Sequence, residues 1–222
     1  MKFSIITITK NNPNGFQKTR QSIESQIYSG FEWVVIDGDV EPDNGIYDAM
    51  NKGVDRASGD YLIFMNAGDE FADDNVLSDI SKYKADFIYG DSFEFGFLKK
   101  SKHHSDLHKG MITHHQAMIY RRSVIGDLRY DESYPIAADY KFTIEYLKRC
   151  RSFLKLNKPI CIFEVGGVSQ KKAKQGRIEQ IQIRNELGVV NGLTPYRQWV
   201  GQIIKKTCPT GVYLKIRVIS QL

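Results

Sequence analysis

The segment from Pro42 to Asp69, PDNGIYDAMNKGVDRASGDYLIFMNAGD, limits the fold more than any other part of the chain. Ile46, Ala49, Met50, Gly53, Val54 and Ala57 recur at the i, i+3, i+4, i+7 spacing of one helical face, with Gly59 placed to cap the helix end. Tyr61 to Met65 is then an unbroken apolar run, the pattern of a strand covered on both sides, and Asn66, Gly68 and Asp69 come where it emerges. A helix feeding a buried strand implies α/β layering, and in open α/β sheets ligands bind beyond the carboxyl ends of the strands. Asn-Ala-Gly-Asp is also an ordinary turn sequence, so by itself it fixes a position and no chemistry.

The neighbouring segments repeat the pattern. Phe3 to Thr9 reads as a strand running into the turn-rich Lys10 to Gly15, followed by a helix from Gly15 to Gln26. Trp33 to Ile36 is a second buried strand whose tip carries Asp37-Gly38-Asp39, and Val40 to Pro42 leads directly to the helix of about 45–57. Alternating strands and helices predict a mostly parallel, Rossmann-like sheet with right-handed crossovers. Further on, a short helix is expected over 74–82 and strands at Asp86–Tyr89, Phe93–Leu98, Ala117–Tyr120, Phe153–Leu156 and Ile160–Phe163. A helix should run from Asp139 to Cys150, and another from the Thr194-Pro195 cap to Lys206. Lys99 to His115 has no clear periodicity, as in a functional or mobile connection.

A length of 222 residues suits one substantial core. Three cysteines, Cys150, Cys161 and Cys208, lack metal-type spacing and read as free thiols of a reducing cytoplasm. Neither a secretory leader nor an apolar run of membrane-spanning length is present, so a cytoplasmic location is expected. The net charge of +5 is uneven: 171–222 carries ten Lys/Arg against Glu179 and Glu186, an excess of +8, leaving about −3 on the rest. With Tyr196, Trp199 and Tyr213 interleaved, this basic tail suits peripheral contact with an anionic membrane, or a helical pair with a solvated basic face. Nucleic acid is the weaker partner, since no binding motif accompanies the charge.

Ser4-Ile5-Ile6-Thr7, Trp33 to Gly38, Asp43-Asn44-Gly45-Ile46-Tyr47-Asp48-Ala49-Met50-Asn51-Lys52-Gly53, Asn66 to Asp69, His115-Gln116, Ala138-Asp139-Tyr140 and Gly166 to Ser169 follow one another along the chain. In this order they resemble inverting family 2 glycosyltransferases of the GT-A fold, in particular those of bacterial exopolysaccharide, colanic-acid-type and O-antigen assembly. The resemblance implies a GT-A domain over 1–170, with nucleotide binding to about residue 90 and acceptor binding from about 91, and a basic helical extension over 171–222. It implies that Thr7 and Asp37 meet base and ribose with Asp39 nearby, that Asn51 lines the nucleotide pocket, and that His115 and Gln116 meet a phosphate oxygen or the metal.

By the same resemblance Asp69 is the last acid of a cluster holding a divalent cation, Mn²⁺ or Mg²⁺, on the diphosphate of a UDP- or GDP-sugar. Asp139 is then the general base toward a hydroxyl of a lipid-linked saccharide acceptor; as a residue read alone, Asp139 could equally cap the helix it opens. Two departures stand out. Asn66 and Gly68 replace aspartates common in the cluster, and one βα unit is missing between Asp39 and Asp43. These departures favour, as an alternative, a degenerate GT-A protein that binds nucleotide or glycan without turnover. A dinucleotide-dependent oxidoreductase is disfavoured, because the loop Lys10 to Gly15 has no Gly-rich fingerprint.

Overall fold

The computed structural model describes residues 1–189. The chain divides into two compact units, Met1–Gln180 and Ile181–Leu222, and the sheet belongs to the first. The helix expected over 194–206, and Cys208 with it, lie outside the described residues.

Strand β1 is Phe3–Thr9, helix α1 Pro13–Glu24, strand β2 Phe31–Asp37, helix α2 Ile46–Arg56 and strand β3 Tyr61–Phe64. β1 pairs in parallel with β2 on one side and β3 on the other. Ile5 and Ile6 are both fully buried because alternate side chains leave opposite faces of a strand that is covered twice. On one face, Ile23 of α1 joins Phe3, Ile5, Tyr61 and Ile63 in a shared core. On the other, α2 lies against β1 at Gly53, where a Cβ would come within 2.4 Å of Ile6 Cγ2. Gly53 is thus a packing position as well as a member of the apolar face.

Three expectations from the sequence change here. α1 starts at Pro13, two residues early, because the Asn12 side chain accepts from Gly15 N and Pro13 takes the first turn. Ile46 is exposed while Tyr47 is buried, so the buried stripe of α2 turns toward Tyr47. Gly59 is not a helix cap: Ala57 ends α2 in an extended conformation, and Gly59 is needed because a Cβ would sit 2.8 Å from the Lys2 carbonyl oxygen.

Strand β4 is Glu70–Phe71, helix α3 Val76–Ile80, strand β5 Phe87–Glu94, strand β6 Phe97–Lys99 and strand β7 Met118–Arg121. Helix α4 is Arg122–Ile125, helix α5 Ala138–Arg149, strand β8 Phe153–Ile162, helix α6 Val168–Lys171 and helix α7 Ala173–Glu186. Among the described residues the sheet runs β2-β1-β3-β7-β5-β8-β4, with β6 added beside β5. The β2, β1, β3 portion is parallel; β7 then enters antiparallel to both β3 and β5, and β5 and β8 are again parallel. β2 is an edge strand, as expected where a peripheral βα unit is missing.

Phe93–Leu98, read as one strand, is a hairpin: Phe95 and Gly96 both have positive φ, at 54° and 76°, and turn β5 into β6. Phe153–Leu156 and Ile160–Phe163, read as two strands, form the single β8. Asn157-Lys158-Pro159 has the composition of a turn, yet Pro159 sits at a register shift opposite Asp91, where the missing N–H is tolerated. Gly90 makes room for this, since a Cβ there would lie 2.7 Å from the Lys158 carbonyl oxygen. The aperiodic 99–115 connection contains a 3₁₀ turn, His104–Lys109, hydrogen-bonded to the body through His104 N and Tyr89 Oη at 2.9 Å.

Candidate active site

Beyond the carboxyl ends of β1 and β3 lies a cavity of about 1210 Å³. Ile8, Thr9 and Lys10 contribute from the end of β1, Asn66, Ala67 and Asp69 from the loop after β3, His115 from the turn before β7 and Asp139 from the start of α5. Its size is at the upper end for small-molecule sites.

The Asn66–Asp69 loop is built by α1. Thr19 Oγ1 donates toward Asp69 O at 2.7 Å and Asn66 O at 3.0 Å, and accepts from Gly68 N at 2.9 Å. Gly68 has φ 109°, and a Cβ would lie 2.8 Å from the Glu164 side chain. An aspartate at this position would be strained and crowded, which gives the Gly68 departure from the family cluster a conformational reason. The Asp69 carboxylate is held on both oxygens: Oδ1 accepts from Glu164 N at 2.9 Å and Oδ2 from Gln116 Nε2 at 2.6 Å. Burial outweighs these hydrogen bonds and pushes its pKa up to about 7.

Asp139 stands in the first turn of α5, whose N-cap is Ala137, so the capping alternative does not apply. Its Oδ1 accepts from Tyr140 N at 2.8 Å and from Tyr47 Oη at 3.2 Å. Among the described residues, Oδ2 accepts no hydrogen bond from another residue; His115 Nδ1 lies 3.7 Å away, too long for one. Burial raises the Asp139 pKa to about 6, against the opposing hydrogen bonds from Tyr140 and Tyr47, with the Glu179 charge adding to the rise. About a fifth of its side chain remains open to the cavity. The carboxylate is therefore mostly ionised at neutral pH yet far more basic than a free aspartate.

The surroundings of Asp139 are rigid. Tyr47 Oη shares its one proton between Asp139 Oδ1 and Ile136 O, the latter at 2.9 Å, and the Tyr47 ring stacks on Tyr130, which stacks on Phe142 in the core. Buried Glu179 of α7 accepts from Ile136 N at 2.9 Å and Ala137 N at 2.8 Å, fixing the chain just before α5. His115 is kept neutral, its pKa lowered to about 3 by burial and the neighbouring His114. Its Nε2 lies 3.4 Å from Asn66 Nδ2, linking the two halves of the cavity wall.

Asp69, His115, Gln116 and Asp139 thus line one cavity. The other expected residues do not line it. Thr7 is fully buried, with its hydroxyl donating to Met65 O at 2.7 Å and accepting from Trp33 Nε1 at 2.9 Å. Asn51 uses both ends of its amide on the Tyr130 backbone, at 3.0 and 2.8 Å, and so ties α2 to the segment before α5. Asp37 accepts from Asp39 N at 2.9 Å and Asp39 from Asn11 N at 2.7 Å. These two acids brace the end of β2 against the loop after β1, at the same rim of the sheet as Thr9 and Lys10 but outside the cavity lining. For Thr7 and Asn51 the side chains are spent inside the protein, so neither offers a free group to a base or ribose.

Sequence reasoning passed over Tyr47, Glu164 and Glu179. Tyr47 lies within the Asp43–Gly53 string, and its place one position from the apolar stripe was the available signal. Glu164 acts through its backbone and Glu179 through a contact 43 residues away in sequence, so neither leaves a local trace.

Among the described residues no group of three or more His, Cys, Asp or Glu side chains could hold a metal ion. The cavity offers a hard cation the Asp69 carboxylate and Asn66 Oδ1, a buried oxygen with no hydrogen-bond partner among the described residues, with the Glu164 charge near Asp69. One carboxylate with an amide oxygen fits a cation that takes its remaining ligands from substrate phosphates and water.

Residues 40–133 match the family described as Glycosyl transferase family 2. A Mycobacterium tuberculosis protein named "Uncharacterized glycosyltransferase MT1564" is 29% identical over 204 residues, 76% of this chain and 77% of that one. The crystal structure of Staphylococcus aureus TarS superposes with a TM-score of 0.64 at 17% identity, covering 83% of this chain and 40% of its own. The chain therefore spans about two-fifths of the full TarS length. The fold is GT-A. A mannosyltransferase, PcManGT from Pyrobaculum calidifontis, solved with GDP-Man and Mn²⁺, superposes at a TM-score of 0.59 and 13% identity over 99% of this chain and 79% of its own. Residues 40–133 are thus similar to family 2 glycosyltransferases, and the colanic-acid and O-antigen likeness receives no support from these matches.

Proposed function

We propose that the cavity transfers a sugar from a nucleotide-diphosphate donor to an acceptor hydroxyl with inversion. The observation that carries this reading is the pairing of Asp139 with an open Oδ2 and Asp69 across one cavity at the sheet's carboxyl rim. Asp139 Oδ2 accepts the proton of the acceptor hydroxyl; that oxygen bonds to the anomeric carbon as the bond from that carbon to the diphosphate oxygen breaks. A base at this pKa is suited to neutral pH and contributes roughly 10²–10⁴-fold. Tyr47 holds the carboxylate and Glu179 holds the chain just before it, with the neutral His115 alongside. Mn²⁺ or Mg²⁺, when bound, supplies charge neutralisation for the leaving diphosphate, and Asp69 with Asn66 would hold it. A TarS structure in complex with UDP, and PcManGT with GDP-Man and Mn²⁺, make a UDP- or GDP-sugar the first donors to try.

The acceptor we infer is a saccharide of bacterial surface polysaccharide assembly, lipid-linked, met at the inner face of the membrane with the basic 171–222 segment helping to hold the protein there. The catalytic part then extends past the expected 1–170, because Arg177 and Gln180 line the cavity and Glu179 braces Ile136 and Ala137. A screen of UDP- and GDP-sugars with membrane extract and Mn²⁺ or Mg²⁺ tests the reading by nucleotide release, and no release from any donor rejects it. The near-neutral pKa of Asp69, and the absence among the described residues of a group of three or more His, Cys, Asp or Glu side chains that could hold a metal ion, favour a second reading, a GT-A protein that binds nucleotide without turnover. Calorimetric nucleotide binding in the absence of release selects that one.

A further inference from the structure

The hairpin that joins β5 to β6 ends in exposed apolar side chains: Phe95 is 66% exposed, Phe97 78% and Leu98 44%. Phe95 also occupies the first position of a two-residue turn at φ 54°, followed by Gly96 at φ 76°. That turn geometry is met cheaply by Asn-Gly, whereas a bulky residue with positive φ is an outlier that costs stability. The chain thus sustains backbone strain to display an aromatic ring in water. Directly after the turn come Lys99, Lys100 and Lys102, all exposed, of which Lys100 and Lys102 have no acid within ion-pairing distance among the described residues. At the base of the hairpin, Glu94 and Lys99 line the cavity.

We propose that this hairpin inserts into an anionic lipid surface, setting the mouth of the cavity against the bilayer. The charge pattern decides for lipid over a protein strand: β6 is only three residues long, too short to template pairing, while an apolar tip backed by lysines suits a bilayer surface rich in acidic headgroups. The site is distinct in sequence from the basic tail, and the proposal holds whichever sugar is transferred.

Sedimentation of the full chain with vesicles of phosphatidylcholine containing about 30% phosphatidylglycerol, and of phosphatidylcholine alone, tests it. Wild type is expected to favour the anionic vesicles, and the double variant Phe95→Asn/Phe97→Ser to bind them at least about tenfold more weakly. Phe95→Asn alone should melt at the same or a higher temperature, since Asn accepts positive φ, which separates lost binding from lost folding. The proposal is overturned if the double variant sediments like wild type, which would put any membrane contact elsewhere in the chain, or if wild type ignores anionic vesicles.

Discussion

The two acidic walls of the cavity differ in how their carboxylates are held. The loop after β3 is pinned from behind by Thr19, and both Asp69 oxygens are taken up by protein N–H groups. The first turn of α5 is pinned just as firmly, through Tyr47 and Glu179, but among the described residues only one Asp139 oxygen accepts a hydrogen bond from another residue. Both acids are raised by burial, to about 7 and about 6. Rigidity is common to the two; availability is not. The wall that presents a bare oxygen is suited to moving a proton, and the wall that buries its charge is suited to a counter-charge brought in with the substrate.

Breaking the contrast at the α5 wall should have the largest effect. Asp139→Asn keeps size and the Tyr140 hydrogen bond but removes the basic oxygen, so kcat should fall roughly 10²–10⁴-fold with nucleotide affinity unchanged by calorimetry. Tyr47→Phe should lower kcat about tenfold and, by deleting a hydrogen bond that lowers the Asp139 pKa, move the acid limb of the rate profile to higher pH. It also leaves the Ile136 carbonyl without that donor, a stability loss of about 1 kcal/mol by denaturant titration.

At the β3 wall, Gly68→Asp restores the residue common in related clusters yet should destabilise by about 1–3 kcal/mol and strengthen Mn²⁺ binding not at all, because the fault lies in φ and in Glu164. Improved metal binding by this variant would show that the loop adapts.

The smallest effect concerns stability against pH. A carboxyl whose folded pKa is raised leaves the folded state fully stable below the unfolded value near 3.8 and progressively less so as pH climbs through the folded value of about 6. Asp139→Asn removes that loss, so the variant should be more stable than wild type by of order 1–3 kcal/mol at pH 8 and indistinguishable near pH 4. Equal melting temperatures at pH 8 would mean that burial does not raise Asp139.

Local pattern made much of this legible. The strand at Phe3–Thr9 and the helix over about 45–57 follow from periodicity, and Asp69 and Asp139 from motif strings that fall where strands and helices begin or end. Thr7 and Asn51 fall outside the cavity lining for a reason hidden in the sequence, which tells that a polar side chain exists, while the partner that engages it, Met65 O or the Tyr130 backbone, comes from a distant segment. Pro159 shows the converse: a turn signal was overridden by a bulge facing Gly90, visible only once β5 and β8 are side by side. Glu179 is a further case, a helix residue whose role depends on the folded position of Ile136.

The pH dependence of kcat/KM for nucleotide release tests the role of Asp139 most directly, since that parameter reports the free protein's essential base. With saturating Mn²⁺, which would keep Asp69 ionised, a single-proton acid limb centred near the Asp139 value of about 6, shifted upward in Tyr47→Phe, is the expected result. A profile flat from about pH 5 to 8, or one that Asp139→Asn leaves in place, contradicts the account.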